Sequence, residues 1–167
     1  MIYAGNCKDW IKQEWIDEIL NDNNPLPLYS SNSKSLLKEH EVDKLKNDGF
    51  DVDKVMWWQY TQTNLSFDLE IPFVPAGKKY HWWIIKLMPG NLLPMHVDPC
   101  GSLKNSDRIW VPFTDWSPGH IFMYEDTVIT AYKIGDIYHF SNPMSLHGSA
   151  NIGEKPRIVL QVTTYDE

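Results

Sequence analysis

Two hydrophobic periods divide the chain. Near the N-terminus, "DWIKQEWIDEIL" (residues 9–20) places Ile11, Trp15, Ile16, Ile19 and Leu20 at helical spacing with polar residues opposite. The pattern predicts an amphipathic helix, capped by Asn6 or Asp9 and ended by "NDNNP". A second, weaker helix is expected over "SLLKEHEVDKLKN" (residues 35–47), closed by Asp48 and Gly49. From about residue 54 the runs become short and rich in β-branched and aromatic residues. They are "KVMWWQYTQT", "LSFDLEIPF", "YHWWIIKLM", "RIWVPFT", "HIFMYED", "TVITAYKI", "DIYHFS", "LHGSAN" and "RIVLQVTTY". Turn formers such as "PAG", "MPGN", "SPG", "IGD" and "NIGEKP" separate many of them. Many short strands at close spacing predict a β-sandwich, jelly roll or barrel. The expected organisation is one domain over residues 1–167. Residues 1–50 form its helical support and residues 54–166 its mainly β core.

Composition narrows the function classes. A chain of 167 residues that is 43% hydrophobic is long enough to bury a core and is not disordered. No apolar run approaches the length of a membrane span, and "MIYAGNCKDW" lacks the pattern of a signal peptide. The two cysteines, Cys7 and Cys100, lie far apart without zinc-site or disulfide spacing. A cytoplasmic setting without membrane association is the expectation. The net charge of −7 argues against binding a phosphate backbone, so no nucleic-acid partner is expected. Most of the eight tryptophans, including the pairs Trp57-Trp58 and Trp82-Trp83, are expected in the core and on strand faces.

The candidate chemistry begins in "MPGNLLPMHVDPCG" (residues 88–101), where His96 and Asp98 are separated by one residue at a strand end. Alone, such a pair is weak evidence. A second imidazole, His147, falls in "SLHGSANIGEKPRIVLQV", and Arg157 follows ten residues later, beyond a turn. Two imidazoles and one carboxylate on one face of a metal form the facial triad of non-haem Fe(II) oxygenases, which leaves other coordination positions open. Arg157 is placed to return along the next strand and meet a carboxylate with a forked pair of hydrogen bonds.

Residues from about 80 to 166 resemble the Fe(II)/2-oxoglutarate-dependent dioxygenase superfamily. The motifs that carry the resemblance are "MPGNLLPMHVD", "RIWVPF", "KIGDIYHFSNPMSLHGSANIGEKPRIVLQV" and the spacing from His147 to Arg157. The last two are most similar to the aspartyl/asparaginyl β-hydroxylase and prolyl hydroxylase branches. The resemblance implies a double-stranded β-helix (cupin-like jelly-roll) core. It also implies Fe(II) on His96, Asp98 and His147, with Arg157 on the distal carboxylate of 2-oxoglutarate. Arg108, opening "RIWVPF", occupies roughly the place of a second basic residue that contacts co-substrate or substrate. The implied reaction consumes O₂ and 2-oxoglutarate, releases succinate and CO₂, and hydroxylates a peptidyl residue or amino acid. The aspartyl/asparaginyl hydroxylases carry glycine where Asp98 stands, so their substrate does not transfer to this chain. The first 50 residues match no family.

Lys86 is expected either to point into the pocket beside Arg157 or to lie exposed on its strand. His139 is expected as a core or pocket-wall residue, His81 and His120 at the surface, and His40 on the second helix. Tyr124 to Asp126 are expected in a turn. Two rivals to the oxygenase remain: a non-catalytic cupin-like metal-binding domain, and a cupin enzyme that does not use 2-oxoglutarate. Arg157 separates the first, because such a domain has no need of a deep carboxylate partner. A carboxylate ligand where many enzymes of the second kind have a third histidine separates the other.

Overall fold

The computed structural model describes residues 1–22, 43–44, 46–49, 57–98, 105–140, 142 and 144–166. Its strands are β1 (Ile2–Asn6), β2 (Trp58–Tyr60), β3 (Lys79–Leu87), β4 (Leu92–His96) and β5 (Asp107–Pro112). They continue as β6 (His120–Tyr124), β7 (Thr127–Ile129), β8 (Asp136–His139), β9 (His147–Asn151) and β10 (Arg157–Tyr165). The helix α1 (Gln13–Asn21) precedes β2. The large sheet runs β1-β8-β5-β10-β3-β2 and the small sheet β4-β9-β6-β7.

The pairing is nested. β3 lies antiparallel to β10, β4 to β9, β5 to β8, and β6 to β7. A chain folded back on itself so that its outermost strands pair first, with successive pairs in alternate sheets, is a double-stranded β-helix. The molecule is a mainly β, cupin-like jelly roll, and this strand order establishes it.

Period-2 alternation sorts the side chains of β10 into two cores. Ile158, Leu160 and Val162 face outward and join Ile84, Ile109 and Val111 beneath α1, which contributes Trp15, Ile16 and Ile19. The opposite face of the same strand looks between the sheets. There Val159 packs with Ile85, Leu87, Leu93, Trp110 and Phe122. Both faces of β10 are covered, which explains the nearly unbroken apolar run "RIVLQV".

Several sequence expectations are corrected. The N-terminal helix is shorter than its pattern: residues 8–10 form a 3-10 turn, and α1 starts at Gln13 after Lys12, which offers no side-chain cap. Asn6 instead accepts the Lys8 N–H at 2.8 Å, and Leu20 is exposed rather than buried. β1 was not anticipated. Residues 65–73 form bends, an irregular stretch and a turn, not a strand, in keeping with Pro72, which cannot donate to a ladder. The second helix, over residues 35–47, lies mostly outside the described residues. Its end is described: Asp48 N–H bonds to the Lys44 carbonyl, and Gly49 takes a φ of +84°. Among the described residues no helix is long and apolar enough to cross a membrane.

Candidate metal centre

β4 is the edge of the small sheet, where Pro94 costs no ladder hydrogen bond, and its register shifts between Leu93 and His96. The shift turns His96 toward the interior, directly opposite His147 at the start of β9. The two ring centroids are 4.5 Å apart. Asp98 follows two residues later and is buried. One ligand atom from each of His96, Asp98 and His147 lies within 4.8 Å of the others.

Each imidazole is oriented by a backbone carbonyl. His96 Nδ1 donates to Pro94 O at 2.7 Å, and His147 Nδ1 donates to Ser145 O at 2.9 Å. In a neutral ring whose Nδ1 carries the proton, Nε2 is an acceptor. His147 Nε2 is buried without a hydrogen-bond partner among the described residues and faces Asp98 Oδ2 at 3.1 Å. His96 Nε2 faces Asp98 Oδ1 at 3.4 Å. Three acceptors converging in a largely buried site suit a cation between them, and a backbone carbonyl holding the far nitrogen of each imidazole fits metal ligation. The donor set suits a divalent transition metal.

Burial pushes the Asp98 carboxyl up. Contact with His147 and His96 and the charge of Arg108 outweigh burial and hold it well below the usual carboxylate range. Burial lowers His96, but its contacts with Asp98 and the Pro94 carbonyl win and raise it.

Arg108 and Arg157 both face between the sheets, yet they do different things. Arg108 is fully buried, with Nη1 2.8 Å from Asp98 Oδ2 and 2.5 Å from Gln161 Oε1, and its guanidinium lies 4.4 Å from the Trp83 ring. It pairs with Thr163, whereas Arg157 pairs with Leu87 at the far end of β10. The structure therefore sets Arg108 at the metal ligand, not beside Arg157. Arg157 lies 5.4 Å from the Trp110 ring and 5.3 Å from Phe122. Phe122 is itself 6.5 Å from His147, so one aromatic ring neighbours both the guanidinium and the metal centre. Arg157 Nη2 is buried with no hydrogen-bond partner among the described residues, while Nε donates to Tyr132 Oη at 3.2 Å.

Lys86 is neither in the pocket nor exposed. Alternation sends it to the outer face of β3, where Nζ donates to the Ile19 and Asp22 carbonyls at 2.8 and 2.9 Å and closes the end of α1. The correction is geometric: its register partner is Ile158, which belongs to the core under the helix. His139 also faces that outer side and pairs with Asp107 at 2.7 Å. His120, expected at the surface, is 2% exposed. His81 is exposed as expected.

Sequence reasoning passed over Gln161, Trp83 and Tyr132. Gln161 had a signal, because it stands four residues after Arg157 and shares its strand face. Tyr132 lies between strands, where periodicity assigns no direction. A cleft of about 570 Å³ opens beside His81 and Trp83, with Gln59, Gln62, Asp68 and Tyr80 among its walls.

No family model matches the chain, and no curated protein does. Solved structures similar to it include cupin domains. The cupin domain of an XRE-family transcriptional regulator from Enterobacter cloacae is 14% identical, with a TM-score of 0.46 over 66% of this chain and 98% of that one. A cupin 2 conserved barrel domain protein from Salinispora arenicola is 15% identical, with a TM-score of 0.41 over 70% and 85%. A non-haem α-ketoglutarate-dependent epimerase of nogalamycin biosynthesis is 12% identical, with a TM-score of 0.43 over 53% and 46%. The fold itself rests on the nested strand order. The class the fold and site define is a cupin-like jelly roll with a His-Asp-His cluster fit for a metal.

Proposed function

We propose that the chain is a non-haem Fe(II)/2-oxoglutarate-dependent oxygenase. The observation that carries the reading is Arg157. It is a guanidinium 1% exposed, with one nitrogen unpaired among the described residues, on the inner face of the large sheet, opposite the small sheet that carries His96 and His147. A buried unpaired cationic donor is costly unless a ligand completes it. An anionic carboxylate is the natural complement, and a dicarboxylate reaches from Arg157 toward the metal. A metal-binding domain without a co-substrate has no use for such a group.

His96, Asp98 and His147 would hold the iron. When bound, it supplies the redox chemistry that activates O₂ and oxidises 2-oxoglutarate to succinate and CO₂ with hydroxylation of the substrate. The chain's own residues do the rest. Pro94 and Ser145 carbonyls hold the imidazoles with Nε2 inward. Arg108 holds the carboxylate of Asp98. Arg157 binds and orients the distal carboxylate of the co-substrate. Trp110, Phe122 and Phe140 exclude water from the chamber. The substrate of this reading is a peptidyl residue or amino acid.

The test is succinate formation from 2-oxoglutarate by protein loaded anaerobically with Fe(II) and then exposed to air, with pooled peptides and amino acids. Metal-dependent succinate that disappears in His147→Ala is the expected result. Tight metal binding without any succinate contradicts the reading and favours a non-catalytic cupin.

A further inference from the structure

The donor at the bottom of the chamber is not a lone arginine. Arg157 Nε donates to Tyr132 Oη at 3.2 Å, and Tyr132 Oη lies 3.4 Å from His120 Nδ1. His120 Nε2 in turn lies 2.9 Å from the Lys155 carbonyl. A carbonyl only accepts, so Nε2 carries the proton and Nδ1 of the neutral ring accepts from the Tyr132 hydroxyl. That hydroxyl then has its oxygen free to accept from Arg157. Every donor in the series has one direction.

The frame around this series is rigid. Trp116 bridges its two middle members, its backbone N–H on the Tyr132 carbonyl and its indole N–H on the His120 carbonyl, both at 3.0 Å. Asn151 Nδ2 donates to the same Lys155 carbonyl at 2.8 Å, which fixes the turn into β10. His120, Tyr132 and Arg157 are each 2% exposed or less. Burial, with the nearby charge of Arg157 and of Lys155, lowers His120 and keeps its ring neutral, against the Lys155 carbonyl that favours the charged form.

We infer that His120 and Tyr132 are positioning residues that hold Arg157 with its unpaired Nη2 edge turned to the carboxylate ligand. The inference rests on the dicarboxylate reading above and goes beyond it by assigning an orienting role to two residues that touch no reacting atom. With Nε anchored, the planar guanidinium cannot rotate, and the remaining edge is presented without loss of side-chain freedom on binding. Without the anchor, Arg157 keeps its charge but loses its direction.

The experiment is calorimetric titration of 2-oxoglutarate into Zn(II)-loaded wild type, His120→Leu, His120→Asn and Tyr132→Phe. Tyr132→Phe removes only the hydroxyl, and should weaken binding about 3- to 10-fold, the worth of one net hydrogen bond. His120→Leu should do the same. His120→Asn places an amide oxygen near the position of Nδ1 and should restore binding to within about twofold of wild type. Zn(II) affinity should stay constant across the series. Wild-type affinity in Tyr132→Phe, or equal losses in His120→Asn and His120→Leu, overturns the wiring while leaving the oxygenase reading in place. Failure of the wild type to bind 2-oxoglutarate overturns both.

Discussion

Arg108 Nη1 lies 2.8 Å from Asp98 Oδ2, so the one carboxylate of the metal cluster is also the partner of a buried guanidinium. Gln161 holds the same nitrogen from β10, and Trp83 covers the guanidinium face. Loss of partners that orient metal ligands costs roughly 10- to 100-fold in metal affinity. Arg108→Met should therefore weaken Zn(II) or Mn(II) binding on that scale, measured by competition with a chromophoric chelator. Unchanged affinity would show that Asp98 needs no such support.

Lys86 tests the assignment of faces. Its ammonium satisfies two carbonyls at the end of α1, and Lys86→Met leaves both without that donor. The expected cost is about 1–3 kcal/mol in denaturant unfolding. The 2-oxoglutarate affinity should not move. A large loss of affinity at unchanged stability would return Lys86 to the chamber.

The turns flanking Arg157's anchor depend on two glycines. Gly119 has a φ of +94°, and a Cβ there would stand 2.2 Å from the Gly153 backbone nitrogen. Gly119→Ala combines a left-handed conformation with a backbone clash. It should cost about 1–3 kcal/mol for the strain alone. It should also lower 2-oxoglutarate affinity, because the displaced loops carry His120 and Lys155. Unfolding and titration of the same sample separate the two effects.

His139 and Asp107 supply a pH signature on the far face of the large sheet. The Asp107 contact raises His139, against burial. A raised histidine stabilises the fold fully below its unfolded value near 6.5, and that contribution is lost as pH rises through the folded value. Both partners are about a third exposed, so the contribution is below about 1 kcal/mol. The difference in unfolding free energy between wild type and His139→Gln should shrink from pH 6 toward pH 9. A constant difference would mean the pair contributes no charge-dependent stability.

The cluster of His96, Asp98 and His147 was legible through the motifs that carry the family resemblance and not through alternation, since the register shift that turns His96 inward leaves no mark in a period of two. The direction of Lys86 was not legible, since a period of two gives faces but not which face looks between the sheets. His120 was misplaced for a related reason: a polar residue at a strand start is exposed unless another strand's turn covers it, and the turn at residues 151–155 does. Gln161 was available from alternation with Arg157. Tyr132 was not, because it reaches the interior from a connection whose path depends on tertiary packing. The aromatic run at 65–73 has the composition of a strand, but Pro72, bends and a turn leave it outside both sheets.

The central claim is that Arg157 and the metal cluster bind one dicarboxylate between them. Calorimetric titration of 2-oxoglutarate into Mn(II)-loaded wild type and Arg157→Met tests it directly. Charge-assisted hydrogen bonds contribute roughly 1.5–3 kcal/mol each, so the substitution should weaken binding on the order of 10- to 100-fold or more. Mn(II) affinity should be unchanged, because Arg157 is not a ligand. Equal 2-oxoglutarate affinity in the two proteins would contradict the account.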